Sequence, residues 1–176
     1  TGITNGASDI GLISAAGIDV NGALTTTGTV RITAGGNVTQ TAAIVANRLS
    51  ASVTGAASTI VLEHAGNDVG DLALRTQGGQ VRFQDNDGSG TRNNLRITEI
   101  EGDAGCLLLD TVAGVRTING DVTLTAAFTS GAGNGSIVLD HPAALAGTQA
   151  VIEAGSGTAT LHAVNRIVDE DSDTLT

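Results

Sequence analysis

Gly28-Thr29-Val30-Arg31-Ile32-Thr33-Ala34-Gly35-Gly36-Asn37 is an alternating stretch closed by a glycine-asparagine corner. Val30 and Ile32 fall on one side and Thr29, Arg31 and Thr33 on the other, the period-two pattern of a strand with one buried and one wet face. Variants of this unit return along the chain, so the fold turns on whether they return at a fixed interval.

Apolar pairs two residues apart form two interleaved sets. One runs Ile10/Leu12, Val30/Ile32, Ala51/Val53, Leu72/Leu74 and Leu95/Ile97, with first members 20, 21, 21 and 23 positions apart. The other runs Ile18/Val20, a weaker member at Val38/Gln40, whose second residue is polar, then Ile60/Leu62 and Val81/Phe83, its last step again 21. A longer echo matches Thr59–His64 with Ser136–His141 at a shift of 77, and Leu72–Leu74 with Ala150–Ile152 and Gly79–Phe83 with Gly157–Leu161 at 78. Between Gly88 and Gly133 the repeat loosens. Cys106–Leu109, Val115–Ile118 and Val122–Leu124 are strand candidates there without a fixed place, and longer corners are expected to intrude.

Between the pairs lie Asn5-Gly6, Asn21-Gly22, Asn119-Gly120 and Asn134-Gly135, with Gly35-Gly36-Asn37 and Gly66-Asn67-Asp68 in similar positions. These residues tolerate the positive φ of a sharp corner. Asn-Gly also suits two-residue hairpins, which would make an antiparallel sandwich. A sandwich has no reason to keep a period near 21, whereas a solenoid does. At about 3.3 Å per residue such a coil has a contour of roughly 70 Å, enough for two or three short strands and their corners. The expected fold is therefore all-β, a right-handed parallel β-helix (β-solenoid) with coils of about 21 residues, and residues 1–176 form one segment of it. Helical signals are weak, and Ala42–Ser50 fits a strand as well as a helical turn. No capping helix or Pro-rich closure precedes Ile10 or follows Ile167, so further coils, or identical subunits meeting end to end, are the expected partners. With no Met and a first residue Thr1, the chain reads as a mature or internal piece of a longer repeat protein.

Composition narrows the function classes. At 40% hydrophobic, the 176 residues have ample apolar content to fold. Phe83 and Phe128 are the only aromatic residues, so the core is built from Val, Ile, Leu, Ala and Thr, which favours strands. The 25 glycines lack collagen's every-third spacing and read as corners. A net charge of -10 argues against binding a nucleic-acid backbone. No apolar run approaches the roughly 18 residues of a spanning helix. The single Cys106 has no internal disulfide partner and reads as a small hydrophobe rather than a nucleophile.

Gly28–Asn37, its variant Gly120-Asp121-Val122-Thr123-Leu124-Thr125-Ala126, and Ala65-Gly66-Asn67-Asp68-Val69-Gly70 together resemble passenger repeats of filamentous-haemagglutinin-like and autotransporter adhesins. The likeness is one of sequence style and covers most of the chain. It implies a β-helix stalk exported to the surface of a Gram-negative bacterium or into the medium, with a ligand on a host or neighbouring cell. A secretion-targeting domain and a membrane barrel, which such proteins carry, are not part of these residues.

The sharpest local motif is Asp85-Asn86-Asp87-Gly88-Ser89-Gly90-Thr91, similar to the first half of a calcium loop with oxygens at positions one, three and five and glycine at six. Asp85 and Asp87 are the candidate ligands. The twelfth position, where such a loop needs a bidentate Glu, is Arg96, and the plainer reading is a polar corner that lengthens the repeat; apart from calcium no cofactor is expected. Glu63-His64 and Asp140-His141 would stand on one side of the coil but several rungs apart, too far for shared metal ligation. His162 has no evident partner in sequence. A glycan-processing enzyme needs carboxylates converging on one cleft, whereas Asp110, Asp121 and Asp140 are scattered, and no Trp or Tyr is present to stack on a sugar. Arg31, Arg82, Arg96 and Arg116 sit between apolar neighbours and should point outward, and Asp169–Asp173 reads as a solvated corner. The expectation is a non-enzymatic stalk, with a self-assembling filament or surface-layer subunit as the alternative and a glycan-processing β-helix as the third reading.

Overall fold

The computed structural model describes residues 2–87, 94–102, 111–128, 135–140 and 151–170. Regular structure among them is β throughout, with no helix. Strands join in an 11-stranded sheet, a six-stranded sheet and a two-stranded pair. Pairing within both large sheets is parallel.

The six-stranded sheet follows the second set of apolar pairs. Ile18 pairs with Val38, Val38 with Ile60 and Ile60 with Val81, and the column continues through Val122 to Ala159. Val38, Ile60, Val81 and Val122 are fully buried. One core cluster takes in these residues together with Val30, Leu49, Leu72, Leu95 and Ile137 of the larger sheet, so a narrow apolar interior lies between the two sheets.

The larger sheet keeps the expected inward face but not the expected register. Ile10 pairs with Val30, yet Val30 pairs with Leu49 rather than Ala51, and Leu72 pairs with Leu49 and Ile97. The cause is the strand Ile44–Val53, in which Leu49 alternates inward as Ala51 and Val53 do. A period of two fixes the face and leaves the register free by two residues. Ala42–Ser50 is thus mostly strand.

The long echo divides. Leu74 and Ile152 share a column through Val115, and Val81 and Ala159 share one through Val122. Thr59–His64 and Ser136–His141 do not correspond: Ile60–Leu62 belongs to the smaller sheet, whereas Ser136–Leu139 pairs with Asn94–Ile97 of the larger. Ile60 and Leu62 are buried in the smaller sheet and Ile137 in the larger, with Leu139 partly buried against the same core, so similarity of the stretch did not encode its place.

The loosened middle is an excursion. Glu99–Ile100 and Val112–Ala113 form the antiparallel pair, closed at its base where Gly114 N–H donates to Thr98 O at 3.0 Å. It interrupts one ladder: Ile97 pairs with Leu72 just before it and Val115 with Leu74 just after it. Ile100 and Val112 bury Ala73 on the outer face of the strand Asp68–Arg75. The candidate strand Cys106–Leu109 lies outside the described residues, and the Asn-Gly pairs in the described stretches are corners between parallel strands. Gly6 adopts a φ of 49° there.

One corner stacks glycines because there is no room for a side chain. A Cβ on Gly79 would meet Ser58 O at 2.1 Å, one on Gly120 would meet Gly79 O at 2.2 Å, and one on Gly157 would meet Gly120 O at 2.2 Å. Thr76 and Thr117 hydroxyls donate to Gly79 O at 2.8 and 2.9 Å, tying successive layers together.

Arg31 points away from the core as expected, but it is only 7% exposed. The excursion covers it: Nε and Nη2 donate to Glu101 O at 3.3 and 3.1 Å, while Nη1 pairs with Asp9. Asp9 Oδ1 also accepts the Thr29 N–H at 2.7 Å. Burial pushes the Asp9 carboxyl up, but the Thr29 N–H and the Arg31 guanidinium outweigh it and hold the group below the usual carboxylate range. A folded-state value below the unfolded one adds stability above the ordinary Asp pKa, which is lost as pH falls through the folded value. Asp9→Asn is therefore expected to destabilise the chain at neutral pH, with the deficit closing in acid. Denaturant unfolding of both proteins at a series of pH values checks this, and a pH-independent difference refutes it.

Candidate functional site

The corner that carries the calcium-like motif is built from core-facing polar residues. Val81–Asp87 is a strand, not the start of a loop, because its ladder with Val122–Phe128 runs on through Asp85 opposite Ala126. Alternation then turns Asp85 inward with Val81 and Phe83, leaving it 2% exposed. Its Oδ1 accepts the Val69 N–H at 3.0 Å. The side chain of the other candidate, Asp87, and residues 88–93 lie outside what the structure describes.

Beside Asp85 sits Asn67, fully buried. Its Oδ1 accepts from Ile44 N–H at 2.9 Å and Gln40 Nε2 at 2.8 Å, and its Nδ2 reaches Gln40 Oε1, Leu62 O and Gln84 O at 3.0, 3.2 and 3.0 Å. Asn86 continues the corner, with its N–H donating to Asn67 O at 3.0 Å and its Nδ2 to Ala65 O at 2.6 Å. The Gln40–Asn67 pair escaped the sequence reading, although a signal was there: Gln40 stands in register with Val20, at a position the repeat otherwise fills with an apolar residue.

A second cluster lies on the outer face of the larger sheet, where Arg48, Asp71 and Arg96 form one cross-strand row. Arg96 donates to Asp140 Oδ2 at 2.8 Å and to Glu170 Oε2 at 2.5 Å, and Thr98 Oγ1 adds a bond to Asp140 Oδ2 at 3.0 Å. Burial raises the Asp71 carboxyl despite the opposing charges of Arg96 and Arg48, with Asp140 adding to the rise. On Arg96 burial acts downward, but Asp140 and Glu170 outweigh it and hold the guanidinium charged. Glu170, from the acidic stretch expected to be a solvated corner, is thus an ion-pair partner. Two carboxylates, Asp140 and Glu170, converge on the Arg96 guanidinium.

The remaining candidates are dispersed. Glu63 pairs with Arg82 at 2.9 Å, His64 Nδ1 accepts the Gly66 N–H at 3.0 Å, and Asp121 Oδ1 accepts the Thr158 N–H at 2.8 Å. His162 is exposed on the strand Ala159–Ala163, and Asp110 and His141 lie outside the described residues. Glu63 follows the strand Ile60–Leu62 of the smaller sheet, whereas Asp140 follows Ser136–Leu139 of the larger. Among the described residues no three His, Cys, Asp or Glu side chains gather as a metal would require. A concavity of about 540 Å³ is lined by Ile3, Leu12, Ile18, Val20 and Leu24 with Asp19 its one charged group, and a groove of about 240 Å³ holds Arg75 and the Arg116–Glu153 ion pair. No helix of the described chain is long and apolar enough to cross a membrane. Compared with protein-family models, curated proteins and solved structures, the chain matches none.

Two outcomes test this corner. Asn67→Ala leaves the buried Ile44 N–H without its acceptor and removes Gln40's two bonds to Asn67, so a loss of about 2–3 kcal/mol in denaturant unfolding is expected. If calcium is held at the motif, titration calorimetry gives a binding heat that Asp85→Ala with Asp87→Ala abolishes. No heat with the unmutated chain removes the calcium reading.

Proposed function

We propose that this chain is a segment of a rigid, non-enzymatic stalk or surface of a secreted or cell-surface bacterial adhesin, wound as a right-handed parallel β-helix. The observation that carries this reading is the column Ile18-Val38-Ile60-Val81-Val122-Ala159, which keeps parallel register across all six strands of its sheet. Its first three steps, 20, 22 and 21 residues, fit coils of about 21. The step of 41 from Val81 to Val122 contains the Glu99–Ala113 excursion, which leaves the ladder and returns to it.

Such a column resists bending because every strand is hydrogen-bonded to the strands before and after it, at about 4.8 Å per layer. Six strands then advance the rod by about 24 Å, and added coils lengthen it without any new core design. The resemblance of Gly28–Asn37 and its variants to adhesin passenger repeats supplies the second support.

Electron microscopy of the native material, combined with the intact mass of the polypeptide, tests the proposal. Thin single rods from a chain far longer than 17.4 kDa are expected. A short chain found in regular end-to-end polymers replaces the stalk with the self-assembling subunit, and compact particles refute both.

A further inference from the structure

We propose that Asn21 and Asn5 are sites of spontaneous deamidation, and that the fold shields the chemically identical Asn119-Gly120 from the same reaction. This inference is independent of the proposed function. In an Asn-Gly pair the glycine nitrogen gives up its proton to solvent base and attacks the asparagine Cγ. The bond from Cγ to the side-chain nitrogen breaks, ammonia leaves, and a five-membered imide remains. Water then opens either carbonyl, giving aspartate or, with the main chain rerouted through the side chain, isoaspartate. The balance is amide plus water to carboxylate plus ammonium, and no other reagent is needed.

Sequence makes the pairs equal, since glycine offers each the same unhindered nitrogen. The structure makes them unequal. At Asn119-Gly120 the attacking nitrogen is engaged, with Gly120 N–H donating to Thr117 Oγ1 at 3.1 Å. Thr117 is itself buried and held by its bond to Gly79 O at 2.9 Å. The electrophile is engaged as well: Asn119 Oδ1 accepts from Ser156 N–H at 3.3 Å and Ser156 Oγ at 2.9 Å. Gly120 is also pressed against the Gly79 carbonyl, so the corner has little room to swing toward the imide geometry.

Asn21-Gly22 has none of these locks on its nucleophile. Among the described residues no group accepts the Gly22 N–H, Asn21 is exposed, and its carboxamide is held by one bond, from Thr41 Oγ1 at 2.8 Å. Asn5-Gly6 is alike: the Gly6 N–H has no acceptor among the described residues, nothing crowds Gly6, and the Asn5 carboxamide makes one bond, from Nδ2 to Asp9 O at 2.9 Å.

The two products at Asn21 differ in effect. Aspartate keeps an oxygen for the Thr41 hydroxyl. Isoaspartate inserts an extra main-chain carbon directly after Val20, whose carbonyl accepts both Thr41 N–H at 3.0 Å and Ala42 N–H at 3.2 Å, so it strains the joint between two layers.

Peptide mapping by mass spectrometry of the intact chain, after incubation at mildly alkaline pH, with and without denaturant, decides the matter. In the folded chain Asn5 and Asn21 are expected to convert about tenfold faster than Asn119 or more, because engaged hydrogen-bonding groups must be released before attack. In denaturant the three rates converge. Thr117→Val, which removes the acceptor, is expected to expose Asn119, while Thr117→Ser keeps it protected. Equal rates in the folded chain, or an Asn21 as inert as Asn119, overturn the proposal whether or not the Thr117 variants fold.

Discussion

A strand that pairs in parallel with its sequence neighbour must leave its sheet, turn, and come back one strand spacing further on, and the rest of this structure depends on that return. The backbone hydrogen bonds between layers supply the geometry, and the inward columns supply the energy. Burying a Val, Leu or Ile side chain is worth about 1.5–3 kcal/mol, and Val30, Leu49, Leu72, Val38, Ile60 and Val81 are all fully enclosed. None of these is aromatic. A narrow interior between two sheets has room for branched aliphatic side chains stacked on one another, and the sole described aromatic side chain, Phe83, fits by standing between Leu62 and Leu124 in its column.

That constraint decides what the corners must do. Where the chain turns between sheets, backbone groups leave the ladders while still enclosed, and each needs a partner. Asn67 answers this at one corner by spreading its amide over Ile44, Leu62, Gln84 and Gln40. Thr76 and Thr117 answer it at another by capping Gly79 O. The glycines beside them are there because the preceding layer's carbonyl already occupies the space of a Cβ. At these two corners polar side chains stand in for a ladder that has stopped.

Legibility in the sequence followed the same division. Alternation and spacing disclosed the inward faces and the register of Ile18, Val38, Ile60 and Val81, because the first three of those strands are short and bounded by their own corners. The register of the larger sheet was hidden by the long strand Ile44–Val53, where three choices of partner bury equally apolar residues. The placement of Ser136–Leu139 was hidden by its likeness to the strand Ile60–Leu62. The site was less legible still. Asp85 reads as a loop ligand by motif and stands as a core-facing cap by geometry, since the motif counts oxygens and the ladder decides where they point.

The excursion shows what the parallel return permits. Because Ile97 and Val115 pair with Leu72 and Leu74, alternate inward positions of one strand, that ladder continues on the far side of the insertion. The insertion then reaches back along the outer face. Through Glu101 it covers Arg31, which is in turn paired to Asp9, so three parts of the chain far apart in sequence are held by one guanidinium. In a proposed rod whose layers otherwise touch only their immediate neighbours, such a crosspiece couples layers that the ladders leave independent. A near-buried arginine on an outer face is costly unless its charge is met, and Asp9 with the Glu101 carbonyl meets it. The irregular middle of the sequence is therefore where this chain departs from a pure repeat and gains a contact that repetition cannot provide.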